Sequence, residues 1–389
     1  MKIRNFANIV KDKCVTTCLN ESTYISTDNM LPHYGGVVPA NIVPSGKATQ
    51  FRQEDILLSN IRPYFRKTWY ASFDGGCSAD VLCIRADKAQ CHPHYLYYQL
   101  ASDNFVKDYL KSCKGAKMPR GDENRLLDYE IALPPIPEQL RIASILGSLD
   151  EKIEINRKKI EKLEALARMI YEHWFVQFDF PDANGNPYKS SGGAMVWNEE
   201  LKQEIPDGWG VKSISDICEC KDANRVPLSA KERENMCGNI PYYGATGIMD
   251  YVNQHIFDGD YLLFAEDGSI MNDAGFPIMQ LISGKTWVNN HAHILSPKNG
   301  FSCKLLQLMF EKIPVCKIKT GSIQPKITQE NLMGYRVLIA DTSIRDKMIE
   351  KIDIIQQAIF NFKSEINNTT NLRDWLLPML INGQVTVGE

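Results

Sequence analysis

The residues in this chain best placed to do chemistry are cations interleaved with aromatics. SNIRPYFRK at 59–67 sets Arg62, Arg66 and Lys67 beside Tyr64 and Phe65. A guanidinium can grip phosphate or guanine through two parallel hydrogen bonds, and the rings can pack on sugars or bases. KGAKMPRG at 114–121 adds Lys114, Lys117 and Arg120 on a glycine-bearing turn, and TGSIQPK at 320–326 offers Ser322, Gln324 and Lys326. Glycine lets a backbone approach closely, while hydroxyl, amide and ammonium groups suit phosphates and base edges. His291 and His293, two apart and so on one face of a strand, could donate to the same targets. Each has a plainer reading: a solvated loop with Phe65 tucked into the core, or a turn kept only to join a helix to a strand. The chemistry indicated is contact with nucleic acid, with no covalent step.

Residues that would catalyse occur only in fragments. NIPYYG at 239–244 is similar to the Asn-Pro-Pro-Tyr motif with which amino-group methyltransferases grip their target amine. Ile240 stands where the first proline belongs, and no glycine-rich cofactor loop accompanies it. Pro181-Asp182 followed by Glu200-Leu201-Lys202 imitates the acidic pair plus lysine of metal-dependent nucleases. The stretch holding them is rich in Pro, Gly, Asn and Ser and reads as an extended linker, not the rigid strand pair such a site needs. His92 with His94, and His291 with His293, lack a third ligand at recognisable spacing, so no metal is expected. No Ser-His-Asp, Cys-His or phosphate-loop arrangement is present. The chain is expected not to be an enzyme and to need no cofactor of its own.

Two long helices must organise the units that carry these loops. From about Glu138 to Phe175, Leu146, Leu149, Ile153, Ile160, Leu163, Ala167 and Ile170 recur at alternating three-and-four spacing, with Asn156 in the same stripe. That is a heptad seam on a rod roughly 55 Å long, with charges of both signs on its other faces. From about Thr342 to Leu380 a second seam runs through Met348, Ile352, Ile355, Ile359, Phe362 and Ile366, then Thr369, Arg373 and Leu376. Polar Thr369 and Arg373 suggest that the helix pair splays there or meets a partner. Ile352 lies 206 positions after Leu146, Ile359 the same after Ile153, and KGAKMPRGDENRLLDYEIALPP aligns with TGSIQPKITQENLMGYRVLIAD at that offset. A period this long means two domains, each a globular unit followed by a long helix. The expected boundaries are 1–136 and 207–341 for the globular units, 137–176 and 342–389 for the helices and tail, and 177–206 for the linker. Strand-like runs at 55–59, 67–73, 79–86, 128–135, 260–266 and 285–296, with helices at 92–113 and 302–312, make each unit mixed α/β.

Bulk properties leave this reading open. The 389 residues are 44% apolar and 23% charged, as in ordinary globular proteins, and the net charge is −3. Nucleic-acid readers are usually basic, but here the cations gather in local patches while the long helices and the 181–206 stretch hold much of the acid. Eleven cysteines, an odd number without a CxxC pair, fit reduced thiols. No apolar run approaches a membrane span and no signal-peptide core opens the chain, so a cytoplasmic location is expected.

DILLSNIRPYFRK, PPIPEQLRIASILGSLDEKI, LEALARMIYEHWFVQFDFPDANGNPY, NEELKQEIPDGW, IPYYGATGI, VNNHAHIL and TGSIQPKIT resemble characteristic segments of the specificity subunit of type I restriction-modification enzymes. The resemblance covers essentially the whole chain and is weakest in the middle of each globular unit. It implies an α+β (mixed α/β) chain with two duplicated target-recognition domains separated by two long antiparallel coiled-coil helices. Each domain would read one half of a split, asymmetric site in double-stranded DNA, and the helices would act as spacer and as scaffold for two modification (methyltransferase) subunits. S-adenosylmethionine, ATP and magnesium would be used by those and by added restriction subunits, not by this chain. The rival is a coiled-coil protein-interaction adaptor without DNA recognition; it accounts for the acidity and the heptads but not for the paired basic loops.

Overall fold

The computed structural model describes residues 1–113, 115, 118–321 and 324–385. They fall into two units: Met1–Arg157 together with the chain from Lys363 on, and Lys158–Phe362. The expected Lys114, Lys117 and Ser322 contacts lie outside the described residues.

In the first unit the chain lays down β1 (Ala7–Ile9), β2 (Lys13–Val15), β3 (Tyr24–Ile25), β4 (Lys47–Phe51), β5 (Ile56–Ser59), β6 (Thr68–Tyr70), β7 (Gly75–Cys77) and β8 (Val81–Ala86). One sheet has the order β1-β8-β5-β6, antiparallel throughout, with Ile56 opposite Ile84; the other runs β2-β4-β7-β3. Because alternate strand residues face opposite ways, β5 and β8 serve two cores. Ile56, Leu58, Leu82 and Ile84 pack on the helical side, while Leu57, Val81 and Cys83 pack with Phe51, Ile25 and Cys77 of the second sheet.

The helical side holds α1 (Pro93–Ala101), α2 (Asp103–Leu110) and α3 (Glu123–Asp128). The single helix expected over 92–113 is broken at Ser102, whose extended backbone lets its hydroxyl accept the Phe105 N–H at 3.2 Å as an N-cap. The strand expected at 128–135 is reduced to one bridge, Lys2 with Glu130.

Helix α4 (Ile136–Tyr171) enters the first unit with Ile142, Ala143, Leu146 and Ile153 buried, and Leu149 half-buried. There it packs against the end of the chain, where Leu380 is buried beside Leu376 and Leu377. The expected splay is not found. Thr369 is buried, and Arg373 turns inward to bond Asp150 at 2.8 Å, where the same carboxylate accepts the Tyr98 hydroxyl at 2.7 Å. Asn156 is only 2% exposed and donates to Glu365 at 2.8 Å; Ile366 is half-buried next to it in sequence. Polar pairing closes the seam where apolar residues run out.

In the second unit, β9 (Met195–Asn198) and β10 (Gln203–Pro206) form a hairpin. Next come β11 (Gly210–Ser213), α5 (Ile214–Ile217), β12 (Cys218–Cys220), α6 (Ala230–Asn235), β13 (Cys237–Tyr243), β14 (Ile248–Val252), β15 (Phe257–Asp258), β16 (Tyr261–Ala265), β17 (Met279–Ile282), β18 (Lys285–Val288) and β19 (Ala292–Pro297). Then α7 (Cys303–Phe310), β20 (Lys319–Thr320), β21 (Lys326–Ile327), α8 (Gln329–Gly334), β22 (Arg336–Ile339) and α9 (Thr342–Ile381) complete it. The order β12-β19-β16-β17 repeats β1-β8-β5-β6, and β14-β13-β18-β15 forms the second sheet. The run at 285–296 is therefore two strands in different sheets, separated by Asn289–His291.

The stretch at 177–206 is not an extended linker. Phe178 and Phe180 are buried on Trp209, with the Phe180 ring stacked 5.3 Å from Trp209 and 4.6 Å from Tyr188. Burying aromatics of this size is worth several kcal/mol, enough to fold a segment whose composition looks like linker. In this unit Ala167, Ile355 and Ile359 are buried with Ile160, Leu163 and Ile170 beside them, and Met348 and Ile352 join the main core. Phe362 is half-buried, with the Lys159 ammonium 4.9 Å from its ring centre.

Candidate nucleic-acid interface

The two basic segments of the first unit meet at the end of β5. Asn60, buried, accepts the Tyr109 hydroxyl at 2.7 Å through its side chain and the Gly121 N–H at 3.0 Å through its carbonyl. Arg62 donates its own N–H to Pro119 at 2.8 Å, and Ile61 bridges Arg120. Gly121 is required because a side chain there would run into the Tyr109 ring. Between these anchors Pro63–Phe65 forms one 3-10 turn, flanked by left-handed Arg62 (φ 49) and Arg66 (φ 53). Non-glycine residues seldom take that conformation and usually do so where a site imposes it.

The cations have different fates. Arg66 pairs with Asp103 at 2.5 Å, Arg120 pairs with Asp80, and Lys67 donates to the Thr27 carbonyl at 2.6 Å. Among the described residues Arg62 makes no ion pair, and its buried Nε has no hydrogen-bond partner. Tyr64 is 46% exposed and Phe65 38% exposed, their ring centres 4.7 Å apart. Phe65 is thus not tucked into the core.

The second unit rebuilds the junction 206 residues on, with different side chains. Ile327 donates its N–H to the Glu266 carbonyl at 2.9 Å, as Gly121 does to Asn60. Here the side chain is a buried carboxylate that accepts from Arg225 at 2.6 Å and Lys326 at 2.8 Å. Arg225 also lies 3.2 Å from Asp222, whose other oxygen accepts the Ile294 N–H at 2.9 Å. Burial alone would raise both carboxyls. For Asp222 the hydrogen bond and charge of His293, and for Glu266 the bonds from Lys326 and Arg225, outweigh burial and hold them below the usual carboxylate range.

His293 does not present itself to DNA. It is 1% exposed, with Nδ1 2.5 Å from Asp222 and Nε2 2.9 Å from the Ile327 carbonyl, so it ties strand β19 to the base of the 320–326 turn. His291 is exposed on Asp267 at 2.6 Å, and Gln324 is exposed. Lys326, expected as a phosphate contact, is held by Glu266, much as Arg120 is held by Asp80. Asn60, Tyr109, Asp222, Arg225 and Glu266 escaped sequence reasoning. The one available signal was that Glu266 follows Asn60 by the duplication offset.

Cys220, Asp222 and His293 offer atoms within 4.8 Å of one another, the only such trio among the described residues. His293 and Asp222 bond one another at 2.5 Å, and Arg225 and backbone groups take their remaining polar atoms. His94 lies stacked against Tyr70 at 4.4 Å and Tyr98 at 4.9 Å, and His92 occupies the N-cap position of α1 without a side-chain capping bond. The nuclease-like carboxylates are engaged elsewhere: Asp182 accepts the N–H groups of Asn184 and Asn186, and Glu200 pairs with Arg336. NIPYYG lies within strand β13 and its end, paired to β14 and β18, and no helix of the described residues is long and apolar enough to cross a membrane.

The family described as type I restriction modification DNA specificity domain matches residues 2–165 and again 206–372. The MjaIX specificity subunit of Methanocaldococcus jannaschii is 26% identical over 76% of this chain and 69% of its own length. The MjaVIII specificity subunit of the same organism is 24% identical over 100% of this chain and 92% of its own. Among solved structures, the type I restriction-modification S subunit from M. genitalium shares the fold with a TM-score of 0.58 at 17% identity, covering 98% of this chain and 95% of that one.

Proposed function

The chain belongs to the type I restriction modification DNA specificity family, whose domain it carries twice, and we propose that it is the address-reading subunit of such a complex. Each unit reads one half of a split, asymmetric site in double-stranded DNA. The observation that carries this reading is the repeated junction: the same backbone bond, Gly121 to Asn60 and Ile327 to Glu266, presents loops of unlike side chains in the two units. One scaffold with two sets of loop residues is what reading two different half-sites requires. Exposed Tyr64 and Gln324, with Arg62, which makes no ion pair among the described residues, are the groups left to meet DNA; Arg66, Lys67, Arg120, Lys326 and His293 position the loops.

The helices serve as the docking scaffold for two modification subunits, acting in the cytoplasm. Methyl transfer to adenine from S-adenosylmethionine, and any ATP- and magnesium-dependent cleavage with restriction subunits, belongs to those partners. Reading without catalysis fits the second unit's junction, where Asp222, Glu266 and His293 are bonded to one another, to cations or to backbone.

The test is a single-molecule map of N6-methyladenine in cells expressing this chain with its candidate methyltransferase, against a control lacking only this chain. A split motif that needs both is expected. Methylation unchanged by the omission, with the partner active, would replace this reading with the adaptor.

A further inference from the structure

We propose that Tyr64 and Phe65 form a wedge that enters the stack of the half-site read by the first unit and parts two neighbouring base pairs. This rests on the DNA-reading function above and adds how that half-site is engaged. The loop was expected to hold phosphates, yet Arg66 and Arg120 are neutralised by Asp103 and Asp80, and Lys67 is spent on a carbonyl. What it turns outward is the aromatic pair. Apolar side chains displayed this way act on DNA by unstacking a base step and bending the duplex.

The display is rigid. Pro63 opens the turn, and Arg62 and Arg66 hold left-handed backbone at its two ends. The carbonyls of Phe65 and Arg66 accept the N–H groups of His33 at 2.9 Å and Tyr34 at 3.1 Å, and Arg62 is fixed on Pro119. A wedge must not fold away when it meets the stack, and these bonds leave the turn little freedom. Arg62, which makes no ion pair among the described residues, is the loop cation left for the phosphate flanking the opened step.

The second unit lacks this device. At the duplication offset, Tyr64 is replaced by buried Ile270 and Phe65 by exposed Met271. Distortion therefore belongs to one half-site.

The experiment uses the chain with its methyltransferase partner and a duplex bearing its split site. 2-Aminopurine is placed in turn at each position of both half-sites, except the adenine that is methylated and its pairing base, since that adenine is extruded for chemistry in any case. Binding should raise fluorescence several-fold at one step of one half-site. The Y64A/F65A variant should lose that rise and bind roughly ten- to a hundredfold more weakly, with unchanged salt dependence. Phe65→Leu should restore part of the signal, because a branched apolar side chain still parts bases. Both rings are exposed, so thermal melting of the variants should match the parent, separating loss of the wedge from loss of fold. Specific binding with no rise at any step, or with the double variant binding as tightly as the parent, overturns the wedge and leaves DNA reading intact. No specific binding by the unaltered complex overturns both.

Discussion

Glu266 stands between two cations, and its neighbours predict how it fails. Glu266→Gln leaves the Arg225 side chain, 14% exposed, and the half-exposed Lys326 without their shared carboxylate. Removing one member of a buried charge set costs about 3 kcal/mol, and a urea titration of the second unit should show a loss of that order. The sign with pH follows from the two lowered carboxyls. Their contribution is complete above the unfolded carboxyl range near pH 4 and is lost as pH falls through the lower folded values, so stability should drop on acidification. Glu266→Gln should flatten that drop. His94 gives a second acid dependence in the other unit. Burial brings its pKa down to about 4 from 6.5. The folded state thus takes up fewer protons than the unfolded chain between those values, and stability falls as pH is lowered through them, by up to about 3 kcal/mol. His94→Phe, which keeps a ring between Tyr70 and Tyr98, should remove this dependence in denaturation curves measured from pH 7 to 4.

At the scale of elements, α4 meets its surroundings through small and polar residues that a heptad count ranks as faults. Gly147 lies under His94, where a Cβ would come within 2.8 Å of Cε1. Gly147→Ala should therefore destabilise the first unit by about 1–3 kcal/mol despite its better helix propensity, a difference thermal melting can read. Asp150→Ala should cost about 1–3 kcal/mol, because the Tyr98 hydroxyl loses its acceptor and Arg373 keeps only Asp374. The same helix marks what was legible beforehand. Leu146, Ile153, Ile352 and Ile359 announce themselves by period alone, since burial of a helix stripe depends only on local spacing. Glu266, Asp222 and Arg225 could not, because their partners lie from a few to about seventy residues away and only the fold brings them together. His293 was misread for the same reason: a strand residue's face is visible in sequence, but which face is buried is decided by the sheet it joins. Phe178 and Phe180 were hidden by the company of Pro, Gly and Asn, whose abundance describes the turns between them and not the core they enter.

For the whole molecule, charge sets the expected behaviour on DNA. A chain of net charge −3 whose loop cations are largely paired releases few counterions on binding. The isolated chain should bind duplex DNA weakly and with a shallow salt dependence in a titration series. If the proposed methyltransferase partner completes the basic surface, its addition should strengthen binding and steepen that dependence. Tight, sequence-selective binding by the chain alone would contradict this.

The first unit is completed by residues from Lys363 on, with Leu380 in its core, whereas the second is built from one uninterrupted stretch. On the ribosome the unit begun first must therefore be finished last. A nascent chain would carry a folded second half while its first half waits, its Leu146 side still uncovered, for the residues from Lys363 on to emerge. A stop introduced just before Lys363 would then wound the unit that holds Met1–Arg157. The earliest-made loops would be the ones lost.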